Sequence, residues 1–156
     1  SILLGSVLFF LPELYGSGYH TIVQFTQEVN HLLWFVILAL VLVVLKPFTT
    51  GLTLKLGGDG GVFAPSIFAG VCLGLIVGGV TKMYFMPEAL VLNFVILGVA
   101  LTVAATLHAP FTAIFLTFGI FNSYVLWLPL VLLTFVSYLL SKKIYPYTVY
   151  TLALKK

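Results

Sequence analysis

Long apolar runs, separated by short polar segments, fill most of the chain. Residues 62–80 contain one strongly polar side chain, Ser66, and residues 89–107 contain three polar side chains. At about 1.5 Å of rise per residue, a helix over either run would be roughly 28 Å long, close to the ~30 Å hydrocarbon thickness of a bilayer. The apolar runs at 32–45 and 125–140 are shorter, so we expect helices that cross obliquely, end early or are shielded by neighbours.

The polar interruptions predict where helices begin and end. The initial apolar run SILLGSVLFFL is the expected tail of a helix, and PELYGSGYHTIVQFTQEVNH predicts a loop followed by a short helix that is too polar to span. Met86, Pro87 and Glu88 are expected to open a helix, because proline and an acid suit a first turn. The further helices are predicted over about 31–50, 62–82, 110–121 and 126–143, with a last short one beginning near Tyr150.

Composition decides the fold class. Hydrophobic residues make up 62% of the chain and charged residues 7%, with a mean hydropathy of +1.21, whereas soluble domains carry about 25% charged residues. Lipid cannot satisfy a free backbone, and a membrane strand would alternate polar with apolar residues. These runs are apolar on all sides, so we predict an all-α, multi-pass integral membrane protein.

The net charge of +3 does not indicate nucleic-acid binding, because the basic residues are not clustered in one patch. We place all seven lysines at loops or helix ends. They are Lys46, Lys55, Lys82, Lys142, Lys143, Lys155 and Lys156. The pairs at 142–143 and 155–156 predict a cytoplasmic C-terminus by the positive-inside tendency.

Small residues recur at intervals of four in two of the predicted helices. One stripe consists of Ser66, Gly70, Gly74 and Gly78, and the other of Gly98, Thr102 and Thr106. Stripes of this kind let helix backbones approach closely in lipid. They therefore predict a helix–helix contact and carry no chemistry.

The segment GGDGGVFAP, residues 57–65, joins two of the apolar runs. A helix that starts within the membrane has N–H groups without intrahelical partners, which carry about half a positive charge. Glycines before such a start let an ion approach the main chain, and Val62 and Phe63 offer only their backbone N–H groups as donors. Two interpretations stay open from the residues alone, a neutral anion site and a plain interhelical turn.

Three ordered stretches resemble the second half of the CLC family of chloride channels and proton-coupled chloride transporters. KPFTTGLTLKLGGDGGVFAPSIFAG resembles the family's GGxGGxFxP signature, HAPFTAIFLTFGIFNSY its APxTAxxxxFExTxxY segment, and VYTLALKK its terminal IYxxxL segment. The resemblance implies that residues 1–156 are the C-terminal part of a CLC-type membrane domain whose N-terminal half is not in this chain. The implied fold is a multi-helix bundle with broken and re-entrant helices, half of an inverted-repeat architecture.

The resemblance also implies an anion site. Main-chain N–H groups of Val62 and Phe63 and the hydroxyl of Tyr150 would bind chloride. The remaining filter-loop residues would be Gly60, Gly61, Ala64 and Pro65. Tyr145 and Tyr147 compete for the role of Tyr150, which without the family would be an interfacial aromatic residue.

The chain departs from the family pattern in three places. Gly119 stands where the family commonly has glutamate in its FExT segment, so any function of that acid is absent here. Asp59 occupies a variable loop position, and we expect a solvated or capping role because a carboxylate would repel an anion. The first-half motifs, a serine-bearing filter loop and a GxEGP segment, do not occur in these residues.

The expected function is transport of chloride or another small anion through a lipid bilayer, as a channel or coupled to protons. The resemblance implies a homodimer with contacts on residues 110–121 and 126–140. Two alternatives remain, a non-transporting scaffold or assembly subunit and a broken-helix transporter of another solute.

We expect neither a cofactor nor a metal, and no enzymatic activity. The three histidines are not spaced as metal ligands, and the glutamates are separated rather than paired as a catalytic dyad. The histidines are His20, His31 and His108, and the glutamates are Glu13, Glu28 and Glu88. Ordinary helix-end or interfacial positions are expected for the histidines.

Overall fold

The computed structural model describes residues 32–55, 63–122 and 126–148. These residues form five α-helices and no β-strand, which confirms the all-α prediction for this part of the chain. The helices are α1 (Leu32–Lys55), α2 (Phe63–Tyr84), α3 (Val91–Leu107), α4 (Pro110–Phe121) and α5 (Trp127–Ile144). The predicted bounds of α2, α4 and α5 are confirmed to within two residues.

Helix α1 is longer than the sequence predicts. It continues past the expected end near Thr50 to Lys55, with Pro47 inside it. The hydroxyls of Thr49 and Thr50 donate to the carbonyl oxygen of Lys46 at 2.9 and 2.8 Å. Proline removes one backbone donor, but in apolar surroundings the rest of the backbone finds no partners outside the helix. The helix therefore continues through Pro47.

The prediction that Met86, Pro87 and Glu88 open a helix is wrong. The N–H of Ala89 donates to the carbonyl oxygen of Met86 at 3.0 Å, and α3 starts only at Val91. This bond closes a four-residue β-turn in which proline occupies the second position. The fixed φ of proline is favourable there, just as it is in the first turn of a helix. The same residues therefore serve a turn here.

Helices α2 and α3 pack antiparallel along the two stripes of small residues. A Cβ added to Gly70 would lie 2.6 Å from the Cα of Val99, and one added to Gly74 would lie 2.5 Å from the Cα of Val95. Neither position has room for a side chain. The predicted close contact between two helix backbones is confirmed.

Helix α3 lies at the centre of the described bundle and contacts α2, α4 and α5. One core of buried residues joins α1, α2 and α3 and includes one residue of α4, and a second core joins α3, α4 and α5. The first contains Ala39, Leu42, Ile67, Phe68, Val71, Cys72, Leu75, Val95, Val99, Val103, Ala104 and Ala113. The second contains Ile96, Ala100, Ile114 and Leu130.

Two serines fix the direction of α5 relative to α3. The hydroxyl of Ser137 donates to the carbonyl oxygen of Leu101 at 3.0 Å, and that of Ser141 donates to that of Ala105 at 2.7 Å. Both partners advance by four residues together, so the two helices are parallel. Because α2 is antiparallel to α3, the start of α2 lies at the same end of the bundle as the ends of α3 and α5.

The length and apolar composition of the described helices are compatible with a position in a membrane. Phe63–Tyr84 and Trp127–Ile144 are long and apolar enough to cross one. The remaining apolar segments are shorter, at Val36–Gly51, Val91–Leu107 and Pro110–Phe121. Many large apolar side chains of α5 point away from the other described helices, which is the pattern expected for a surface that faces lipid or another protein segment.

Candidate anion site

The start of α2 presents main-chain donors. Phe63 is the first helical residue, and the first N–H groups of an α-helix have no acceptor four residues earlier. Pro65 has no N–H, so the donors among the described residues at this end are Phe63 and Ala64. Ala64 is exposed, and the first turn carries no acidic side chain. The partial positive charge of this helix end is therefore not offset by a carboxylate of its own first turn.

Hydroxyl groups hold this helix start against α3. The hydroxyl of Thr102 lies 3.2 Å from the carbonyl oxygen of Ser66, and that of Thr106 donates to Ser66 Oγ at 3.2 Å. Ser66 is buried, and Phe63 packs against the first core. The direction in which the first N–H groups point is thus fixed by contacts with the second half of α3.

Lys46 corrects the expectation that every lysine lies at a loop or a helix end. It lies inside α1 with only 8% of its surface exposed, and its Nζ is 4.7 Å from the ring centroid of Phe68 on α2. The helix was predicted to end near Thr50, which placed Lys46 only about one turn before a helix end. The sequence offered no signal for this position, because a helix that is apolar all round does not reveal which face it buries.

A second polar cluster joins α3 to α5 at the same end of the bundle. His108 caps α3 in the left-handed conformation, with φ 53°, which confirms its expected helix-end position. Its Nε2 lies 3.3 Å from Ser141 Oγ. Since that hydroxyl donates to Ala105, its oxygen is free to accept from Nε2–H. Lys142 Nζ lies 3.2 Å from the hydroxyl of Tyr138, whose ring packs edge-on against His108.

Several predicted positions lie outside the described residues. They are Asp59, Gly60, Gly61, Val62 and Tyr150, together with residues 1–31 and the predicted short helix near Tyr150. The competing tyrosines, Tyr145 and Tyr147, are exposed beyond the end of α5. Their rings pack edge to face, with the ring centroids 5.8 Å apart. Of the predicted site residues, the structure describes Phe63, Ala64 and Pro65, and it places all three in the first turn of α2.

Comparisons with known proteins agree with the motifs. A family model described as voltage gated chloride channel matches residues 1–142. The chain is 37% identical over 133 residues to the H(+)/Cl(-) exchange transporter ClcA of Vibrio cholerae, covering 82% of this chain and 27% of that protein. It is 31% identical over 110 residues to the voltage-gated ClC-type chloride channel ClcB of Escherichia coli, covering 70% of this chain and 25% of that protein.

The matches cover only part of each relative. The chain spans about a quarter to a third of the length of the relatives it matches. No solved structure matches it. The family match covers most of the chain, including the glycine loop and the start of α2. The chain belongs to the voltage-gated chloride channel family, the CLC family that its three motifs indicate.

Proposed function

We propose that the protein containing this chain transports chloride or other small anions across a membrane, with an anion bound at the start of α2. The observation that carries the proposal is a helix start with main-chain donors at Phe63 and Ala64 and no acid in its first turn. Val62 and the hydroxyl of Tyr150 would complete the site, and Gly60 and Gly61 would leave room for the ion. Relatives named as exchange transporters and as chloride channels support the same substrate.

The physical basis is a site that attracts an anion without holding it too firmly. Partial charges on N–H groups and a hydroxyl replace part of the hydration of the ion. A direct contact with a full positive charge would bind it harder, whereas conduction requires an ion that also leaves. A channel and a proton-coupled exchanger both need such a site, so the start of α2 serves either mechanism.

Halide flux from liposomes tests this function. We expect the natural protein that carries this chain, once reconstituted, to pass chloride and to discriminate strongly against potassium. Protein-free liposomes are the control. Flux of cations or of a neutral solute would favour a broken-helix transporter of another substrate, and the absence of any flux from folded protein would favour the scaffold alternative.

We further propose a homodimer in which α4 and α5 form the subunit contact. Phe111 and Phe115 on α4 and Leu132 on α5 expose more than half of their surfaces among the described residues. A groove of about 400 Å³ lies between α3 and α5 and is lined mainly by apolar side chains that include Leu133, Val136 and Leu140. A second subunit would bury this apolar surface together with its counterpart, as a twofold contact requires.

Cysteine cross-linking in the membrane tests the dimer. Leu132→Cys should give a disulfide-linked dimer under mild oxidation, because a residue near a twofold axis meets its own copy. Val44→Cys, on the equally apolar outer face of α1, is the matched control and should stay monomeric. Cross-linking at position 44 but not at 132 would move the contact to α1.

We place the end of the bundle that contains the start of α2 on the cytoplasmic side. Lys142 and Lys143 lie in the last turn of α5 at this end. At the other end, Lys82 lies in the last turn of α2, and the turn that follows contains Glu88. The excess of lysine favours this orientation by the positive-inside tendency. Labelling Lys143→Cys from outside intact cells with a membrane-impermeant thiol reagent would contradict it.

A further inference from the structure

We propose that Thr106, near the end of α3, is a positioning residue for the anion site at the start of α2. Its hydroxyl acts through Ser66 and does not touch the ion. This inference rests on the proposed function. It assigns a part in anion binding to a helix that supplies none of the proposed anion ligands.

Two hydroxyls of α3 meet one residue of α2. Thr106 Oγ1 lies 3.2 Å from Ser66 Oγ, and Thr102 Oγ1 lies 3.2 Å from the carbonyl oxygen of Ser66. The two threonines are about one helical turn apart, so they lie on the same face of α3. Ser66 is the fourth residue of α2 and is buried. These contacts therefore hold the first turn of α2 from its buried side.

The contact with another helix distinguishes Thr106 from other threonines of the bundle. Its Oγ1 also lies 2.8 Å from the carbonyl oxygen of Thr102, and a hydroxyl has one proton and two lone pairs, so it can bond both groups at once. Thr117 and Thr134 bond only the carbonyl oxygen four residues earlier in their own helices among the described residues, at 2.7 and 2.6 Å. A bond of that kind does not position a second helix.

The first turn is the part of α2 whose orientation matters for an anion. The first N–H groups of a helix have no intrahelical acceptor, and they bind an anion only where they point at it. The contacts at Gly70 and Gly74 fix the distance of α2 from α3 about two and three turns further along. Ser66 lies only three residues after Phe63, so its contact with Thr106 acts directly on the proposed site.

The exposure of Thr106 allows positioning to be separated from folding. Thr106 is exposed among the described residues, and substitutions at exposed positions usually change global stability little. The contact of its hydroxyl with Ser66 is one hydrogen bond between neutral groups. Its loss therefore limits the change in anion affinity to about three- to tenfold.

Bromide binding to the natural protein that carries this chain, measured by titration calorimetry, tests the proposal. Thr106→Val keeps the shape and removes the hydroxyl, and it should weaken bromide binding about three- to tenfold. Thr106→Ser keeps the hydroxyl and should stay within about twofold of the wild type. Thr117→Val is the matched control, because it makes the same change where the hydroxyl bonds only its own helix, and its bromide affinity should not change.

Amide hydrogen exchange adds a readout of the first turn itself. The N–H groups of residues 66–69 are those that bond the carbonyls of the residues four positions earlier, at the start of α2. They should exchange faster in Thr106→Val than in the wild type, while residues 74–80 should be unchanged. Thr106→Ser should restore the slow exchange.

The outcomes distinguish this inference from the proposed function. Unchanged bromide affinity or unchanged exchange in folded Thr106→Val would overturn the role of Thr106, and so would equal weakening by Thr106→Ser or Thr117→Val. Thr106→Ala replaces Thr106→Val if the latter does not fold, and the same weakening is expected. Wild-type protein that binds no bromide would instead contradict the proposed function itself.

Discussion

Replacing Ala64 with aspartate should abolish anion transport while leaving the protein folded. Ala64 is exposed in the first turn of α2, next to the N–H groups that we assign to the anion. A carboxylate there would lie close to the bound ion and repel it, and two like charges about 5 Å apart change binding by about 100-fold or more. Halide flux from liposomes measures the loss.

The same substitution should not destabilise the helix. A negative side chain in a first turn interacts favourably with the helix dipole, by about 0.3–1 kcal/mol. Loss of flux with unchanged or raised thermal stability is therefore the expected combination. Ala64→Asn, which has nearly the same shape without the charge, is the matched control and should retain most of the flux. Normal flux in Ala64→Asp would place the anion elsewhere.

Replacing Gly74 with alanine should strongly destabilise the protein. A Cβ at this position would lie 2.5 Å from the Cα of Val95 and 2.8 Å from its backbone nitrogen, and backbone atoms cannot rotate away. Helices α2 and α3 would have to separate, at a cost of roughly 1–3 kcal/mol or more. Denaturant or thermal unfolding in detergent measures the change.

Gly119→Ala is the matched control for Gly74. Gly119 also lies inside a helix, α4, but an added Cβ there would have nothing within 4 Å. Alanine at an open helical position should leave stability unchanged or raise it by about 0.5–1 kcal/mol, because glycine loses more conformational entropy in a helix. Equal destabilisation by both variants would mean that the contact between α2 and α3 does not limit stability.

The helices could be predicted from the sequence because lipid leaves the backbone few alternatives. Long apolar runs predicted α2, α4 and α5 nearly at their observed bounds, and the two four-residue stripes, one through Gly70 and Gly74 and the other starting at Gly98, predicted the close contact of α2 with α3. Steric fit between small residues depends on local spacing alone, so the pattern is visible along the chain.

The incorrect predictions concern the helix start at Met86, the end of α1 and the position of Lys46, and they share a different cause. Pro87 and Glu88 suit a β-turn as well as a first helical turn, and only the bond from Ala89 to Met86 distinguishes the two. Pro47 is compatible with either the end or the interior of a helix. A helix that is apolar all round also does not reveal which face it buries, so the contact of Lys46 with Phe68 could not be deduced from residues 22 positions apart.

The helix start at the proposed anion site was predictable from the sequence. A glycine-rich segment that leads into an apolar run indicates a helix start with free N–H groups, and the structure places Phe63 and Ala64 there. The hydrogen bonds that link Ser66 to Thr102 and Thr106 were not predicted. They depend on how α2 and α3 are rotated about their axes, which the four-residue spacing constrains but does not determine.

The central claim is that an anion binds to main-chain N–H groups at the start of α2. Anomalous scattering from a crystal of the natural protein grown in bromide tests it most directly. We predict a peak within hydrogen-bonding distance of the backbone nitrogens of Val62 and Phe63, with the hydroxyl of Tyr150 on its other side. A well-ordered crystal without a peak at that position, or with bromide only beside lysine ammonium groups, would contradict the account.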